Sequence, residues 1–126
     1  RRLHLHDRFV HVGHQDDPSA LLGALDLFAL PAREDALPLA ALEAAGTGLP
    51  LVCFRTGGVA ALCDQGAGTT VDYPDTVAFA AAIARLLDHP DERAACGDRA
   101  RSIVTSHHDL GPGVARITAV IGDLLT

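Results

Sequence analysis

Two carboxylates, Asp35 and Glu43, flank the start of a helix inside the segment 31–52. Asp35 lies in a loop, a helix opens near Pro38, and Glu43 follows one to two turns into it. Gly46-Thr47-Gly48 then stops the helix, and Leu51-Val52-Cys53-Phe54 reads as a buried strand. A helix N-terminus leaves backbone N–H groups unpaired and carries a partial positive charge, which suits a phosphate or diphosphate. With Pro38 at the first helical position, the amides facing such an anion belong to Leu37, Leu39 and Ala40. Acids beside that end could hold hydroxyl groups on the molecule that carries the phosphate. The arrangement points to a phosphorylated sugar or a nucleotide.

Each acid also has a plainer reading. The neighbours of Glu43, namely Leu39, Ala40, Ala41, Leu42, Ala44 and Ala45, make the helix apolar nearly all round. A carboxylate on a buried helix is costly unless something satisfies it, and sugar hydroxyls would do so in charge-assisted bonds. The alternative is a helix with one wet edge and a solvated Glu43. Asp35 fits equally an ordinary acid ahead of a helix, where Asp commonly caps.

Short apolar strands are predicted at Arg8–Val12, Leu27–Leu30, Leu51–Phe54 and, more weakly, Thr69–Val71. Between them, Asp17 reads as an N-cap with Pro18 at the first helical position of a helix to about Leu25. Thr56-Gly57-Gly58 is a turn, and Val59–Cys63 a short helix. Asp75 caps a helix with Phe79, Ile83, Leu86 and Leu87 on one face; Pro90-Asp91-Glu92 opens another; Leu110–Leu125 closes the chain. Strands alternating with helices predict an α/β fold, a Rossmann-like parallel sheet covered on both faces. Ligands in such sheets bind beyond the carboxyl ends of the strands. That edge is expected to comprise Gly13–Asp16, Pro31–Leu37 and Arg55–Gly58.

The totals exclude several classes. The chain has 126 residues, enough for one domain with a real core, and 48% of them are hydrophobic. A net charge of −6, no Lys, ten scattered Arg and only five aromatic rings argue against a nucleic-acid surface. Cys53, Cys63 and Cys96 lack C-x-x-C spacing and read as reduced core residues of a cytoplasmic protein. No stretch reaches the roughly 18 to 20 apolar residues of a membrane span. His4, His6, His11 and His14 lack the acids or thiols that would complete a tetrahedral metal site, so no metal is expected. Ser19, Ser102 and Ser106 have no nucleophile setting, and Gly57-Gly58 makes neither a dinucleotide fingerprint nor a phosphate loop. A chain without Met that opens Arg-Arg-Leu-His is expected to be a piece of a longer protein.

The series Phe9–Gly13, Leu25–Pro31, Asp35 to Glu43, Gly48–Val52 and Thr56-Gly57-Gly58, continuing through Asp75–Leu87 and Pro90–Arg93, resembles the carboxy-terminal domain of glycosyltransferase family 4, of the GT-B fold. The resemblance runs in order over essentially the whole chain. It implies a retaining, hexosyltransferase-type enzyme of the bacterial group 1 kind that moves a sugar from a nucleotide diphosphate donor. Glu43 then resembles the residue that binds the donor ribose. Asp35 is the catalytic position, resembling the acid that contacts the transferred sugar. The Leu37 and Leu39 amides, either side of Pro38, would hold the diphosphate. His14-Gln15-Asp16-Asp17 resembles the segment that meets the base. No cofactor is implied. Three departures stand out: Asp35 where Glu is usual, Ala36-Leu37-Pro38 in place of Gly-Phe-Gly, and Ala61 where a Glu often follows the double glycine.

On this reading residues 1–126 are a single partial domain, the donor-binding half, whose amino-terminal acceptor domain is absent. The fragment alone should be inactive. Its expected partners are the nucleotide diphosphate-sugar, the missing domain, and a second copy through the last helix. Its expected location is cytoplasmic, at the membrane periphery through the missing domain. Competing readings are a non-catalytic nucleotide- or sugar-phosphate-binding module, a degenerate partner subunit, and a flavodoxin-like interaction domain without a ligand.

Overall fold

Three short parallel strands form the sheet of this computed structural model, which describes Leu5 and residues 7–125. They are β1 (Phe28–Leu30), β2 (Leu51–Phe54) and β3 (Gly68–Val71), in the spatial order β1-β2-β3. Phe28 pairs with Leu51, and Leu51 with Gly68. Among the described residues the helices are α1 (Ser19–Gly23), α2 (Leu39–Thr47), α3 (Gly58–Leu62), α4 (Thr76–Asp88), α5 (Pro90–His107) and α6 (Leu110–Leu124). A wide π-type turn, Cys63–Ala67, joins α3 to β3.

The central strand shows why the sheet needs helices on both sides. All four residues of β2 are buried, and successive side chains enter opposite layers. Leu51 and Cys53 join a core with residues of α1, α2, α3 and α5. Val52 and Phe54 join a second core with Val71, Phe79, Ala82 and Leu86. Removing side chains as large as Leu51 or Val52 from water contributes about 1.5–3 kcal/mol each. The helical stripe expected on α4 is therefore real for Phe79 and Leu86, which are buried, and for Ile83, which is half-buried; Leu87 stays exposed.

Capping chemistry sets several boundaries. Asp75 accepts from the Ala78 amide at 2.8 Å and starts α4. Gly48 ends α2 in the left-handed region (φ 89°), with its N–H donating to Ala45 O at 3.0 Å and that of Leu49 to Ala44 O at 3.1 Å. Arg101 of α5 donates to Thr47 O at 2.6 Å, which places a cation at the negative end of the α2 dipole.

Three expectations need correction. Arg8–Val12 is not a strand; Phe9 and Val10 are 69% and 81% exposed, because among the described residues no neighbouring strand offers this segment a ladder. The first helix is five residues long and ends at Gly23 rather than Leu25. Pro18 and Pro38 are the N-caps of α1 and α2, one position outside the helices they were expected to begin. His4 and His6 lie outside the described residues.

Candidate functional site at the carboxyl edge of the sheet

The loops after β1 and β2 meet at the carboxyl edge of the sheet, and backbone contact fixes how. Gly58 N–H donates to Ala36 O at 2.5 Å, and Thr56 Oγ1 donates to Ala32 O at 3.2 Å. Gly57 has φ 70°, and a Cβ there would stand 1.7 Å from Asp35 O. Any larger residue would push the acidic loop away, so the double glycine serves to seat Asp35 and Ala36. Asp35 is thereby half-buried just ahead of α2.

At the start of α2 the carbonyl of Pro38 accepts from Ala41 at 3.0 Å and from Leu42 at 3.4 Å. The amides of Leu39 and Ala40 thus precede the helical ladder and have no intrahelical acceptor. Leu39 is 74% exposed, so that end of the helix faces solvent. Of the two readings open for α2, the helix with a wet edge is the one observed: Ala41, Ala44 and Ala45 are buried, whereas Leu39, Ala40, Glu43 and Gly46 are exposed. Alanine's small side chain lets α2 press one face on the core and leave the other wet. Glu43 is a carboxylate on that wet edge, one turn or about 6 Å along from Leu39 and on the same face.

Glu43 opens onto a hollow of ≈ 230 Å³ between α1 and α2, lined by Asp17, Pro18, Ser19, Leu22, Glu43 and Thr47. Asp17 Oδ1 accepts from the Ser19 amide at 2.9 Å and from the Ser19 hydroxyl at 2.5 Å. These two bonds hold the Asp17 carboxyl below its ordinary value. Thr47 Oγ1 donates to Ala44 O at 2.7 Å, which leaves its oxygen free to accept. The α1 side contributes Asp17, Pro18, Ser19 and Leu22, and the α2 side Glu43 and Thr47, so two acids and two hydroxyls line the hollow beside apolar Leu22 and Pro18. Such a lining suits a ligand rich in hydroxyl donors.

The residues named from sequence divide between places. Asp17 and Glu43 share the hollow. Asp35, Leu37, Pro38 and Leu39 lie at the amino end of α2, and none of them lines it. His14 and Gln15 stand further out: His14 pairs with Asp16 at 3.4 Å, and the Gln15 amide folds onto Val12 O at 2.9 Å. Ser19 and Thr47 escaped the sequence reading although both are legible. Thr47 lies one helical turn after Glu43, and Ser19 lies two residues after an Asp in an Asx-type turn. Arg55, the cation closest in sequence to the double glycine, is committed elsewhere; its guanidinium donates to both oxygens of Asp64 and to Thr70 Oγ1. Among the described residues no group of three His, Cys, Asp or Glu could hold a metal ion.

A parallel α/β sheet whose polar loops gather at its carboxyl edge defines a Rossmann-like domain of the kind that binds small phosphorylated ligands there. The family model described as Glycosyl transferases group 1 matches residues 1–89, and the chain belongs to that family. It is 34% identical over 94 residues to a D-inositol 3-phosphate glycosyltransferase of Corynebacterium kroppenstedtii, an alignment covering 74% of this chain and 21% of the relative. In structure it is similar to a sucrose-phosphate synthase of Thermosynechococcus elongatus (TM-score 0.91, 24% identity, 96% of this chain and 31% of the other). It is also similar to an Anabaena protein solved in complex with UDP (TM-score 0.75, 21% identity, 82% and 29% covered). The chain spans about a fifth of the length of the curated relatives it matches. No described helix is long and apolar enough to cross a membrane.

Proposed function

We propose that residues 1–126 form a partial donor-binding domain of a retaining glycosyltransferase that takes its sugar from a nucleotide diphosphate. The observation that carries this reading is the wet edge of α2. One exposed helix face presents unpaired amides at Leu39 and Ala40, then Glu43 a turn later, then a hydroxyl-seeking hollow. A nucleoside diphosphate would run along that edge. Its phosphates would meet the Leu37 to Ala40 amides, its ribose hydroxyls would donate to Glu43, and its base would lie towards Asp17 with His14 and Gln15 at the rim. The transferred sugar would then fall to Asp35, which the Gly57-Gly58 turn holds in place. The UDP bound by the Anabaena structural relative supports the ligand class.

Transfer needs donor and acceptor held together, so turnover belongs to the longer protein that carries an acceptor domain, and this chain alone is expected to be inactive. In that full-length enzyme Glu43→Ala removes two charge-assisted bonds of about 1.5 kcal/mol or more apiece, a loss of donor affinity of roughly a hundredfold or greater. Calorimetric titration with nucleotide sugars reads it directly. Unchanged affinity for every donor the enzyme uses would remove Glu43 from the ribose position.

A binding module without turnover has one observation in its favour. Ala61, where the family often carries a Glu, is an exposed methyl on α3, and Arg55 is tied to Asp64. Ligand-observed NMR against UDP-, GDP- and ADP-sugars, alongside a transfer assay of the full-length protein, separates the two. Binding with no transfer to any acceptor favours the module; transfer excludes it.

A further inference from the structure

Two thiols with no part in sugar transfer touch inside the core. Cys53 of β2 and Cys63, the residue after α3, are buried and free, with their sulfurs 3.8 Å apart. The Cys63 sulfur also lies 3.8 Å from Leu51 O. The chain between the two thiols contains Thr56-Gly57-Gly58, the turn whose Thr56 hydroxyl and Gly58 amide hold Ala32 and Ala36 of the acidic loop. Cys63 also begins the wide turn that reverses through Gly66 at φ 98°. The third thiol, Cys96 of α5, is half-buried and forms a built-in reference.

We propose that Cys53 and Cys63 form a reversible disulfide, a redox-modifiable site that brackets the turn seating the loop of Asp35. Closing the bond brings sulfurs now 3.8 Å apart to about 2.05 Å. The central strand β2 is paired on both sides, so α3 and the wide turn supply the movement. The hydrogen bond between the two sulfurs lowers the pKa of Cys53, whereas that bond and burial raise that of Cys63. With hydrogen peroxide as oxidant, the Cys53 thiolate attacks one peroxide oxygen and breaks the O–O bond. This gives a sulfenic acid, and the released hydroxide takes up a proton as water. The Cys63 sulfur then attacks the sulfenic sulfur; the S–S bond forms, the S–O bond breaks, and a second water leaves with the Cys63 proton. Each sulfur gives up one electron and the peroxide accepts two. The ring so closed encloses the double-glycine turn, and its strain reaches the Gly58–Ala36 hydrogen bond.

Trypsin provides a direct test, because Arg33, Arg55, Arg85, Arg93 and Arg99 place Cys53 in residues 34–55, Cys63 in 56–85 and Cys96 in 94–99. After peroxide treatment of the folded full chain and digestion without reductant, peptides 34–55 and 56–85 are expected to remain joined. Dithiothreitol should separate them, and the Cys96→Ala variant should retain the link. Hydrogen exchange at the Gly58 amide should rise on oxidation and return on reduction. Free thiols on both peptides under peroxide that fully oxidises Cys96, or a link that includes residues 94–99, overturns the site. A joined pair with unaltered Gly58 exchange overturns its coupling to the acidic loop. The wild-type peptide map decides the first question without any variant that might fold poorly in its core.

Discussion

The segment from Pro31 to Leu62 and the helix α6 are both rich in apolar residues, yet the structure treats them in opposite ways. In the first, each turn is fixed by a neighbour: Thr56 on Ala32, Gly58 on Ala36, Arg101 on Thr47. In α6 no residue is buried, and Val114, Ile117, Val120 and Ile121 are each more than half exposed. Of the two, only α6 carries a marked apolar stripe, and the two segments have different partners. An apolar stripe says which face of a helix seeks cover, while only a second element in reach supplies it. Around β2 the cover is local; for α6 the described residues offer none.

The sharpest way to break the contrast is to damage the well-tied segment. Gly57→Ala places a methyl 1.7 Å from Asp35 O at a φ of 70°, so either the acidic loop moves or the turn opens. Backbone strain and displacement of this kind cost roughly 1–3 kcal/mol. A fall in the denaturation midpoint with altered amide shifts for Asp35, Ala36 and Leu37 is expected. A variant as stable as the parent with those shifts unmoved would show that the double glycine does not seat the loop. The same methyl in the loose segment should act in the other direction. At Gly122 a Cβ meets nothing within 4 Å, and Gly→Ala in a helix gains roughly 0.5–1 kcal/mol. Because no residue of α6 is buried, that gain should appear as helicity in circular dichroism more than as a shift in global unfolding.

The bare stripe of α6 can find cover in a second copy. Isolated chain is expected to self-associate through Ile117, Val120 and Ile121, since burying large aliphatic side chains contributes about 1.5 kcal/mol or more each. Ile117→Glu combined with Ile121→Glu should return it to monomer by light scattering at high concentration. A parent chain that is already monomeric there counts against the contact.

How much of this was legible in sequence follows the same division. The parallel α/β sheet, the buried Leu51–Phe54 strand, the cap at Asp75 and the acid-helix-acid spacing came through, because each depends on residues close in the chain. Phe9–Val12 did not: alternation promised a strand, but a strand requires a neighbour, and none of the described residues provides one. For α2 the sequence left a buried helix and a wet-edged one both open. Counting Ala as apolar cannot choose between them, because a methyl is small enough to lie exposed at little cost and the helix can keep a wet edge. The role of Gly57 lay in a contact with Asp35 O, a long-range approach that no local pattern announces. The touching of Cys53 and Cys63 likewise needed the fold.

The smallest effect tests the element that flanks the well-tied segment, at the start of α1. Asp17 accepts from both the amide and the hydroxyl of Ser19, and these bonds lower its pKa below the ordinary 3.8. A carboxyl depressed in the folded state stabilises the fold above its unfolded value, and that contribution is lost as pH falls through the lower, folded value. Exchange of the α1 amides should therefore quicken only in strongly acidic solution, below the usual carboxylate range. Ser19→Ala removes the hydroxyl bond, and the Asp17 midpoint followed by NMR should rise towards 3.8. Were it to stay in place, the Ser19 hydroxyl would not be what steadies this wall of the hollow, and the residues holding α1 against α2 would have to be sought at Leu22, where the same hollow turns apolar.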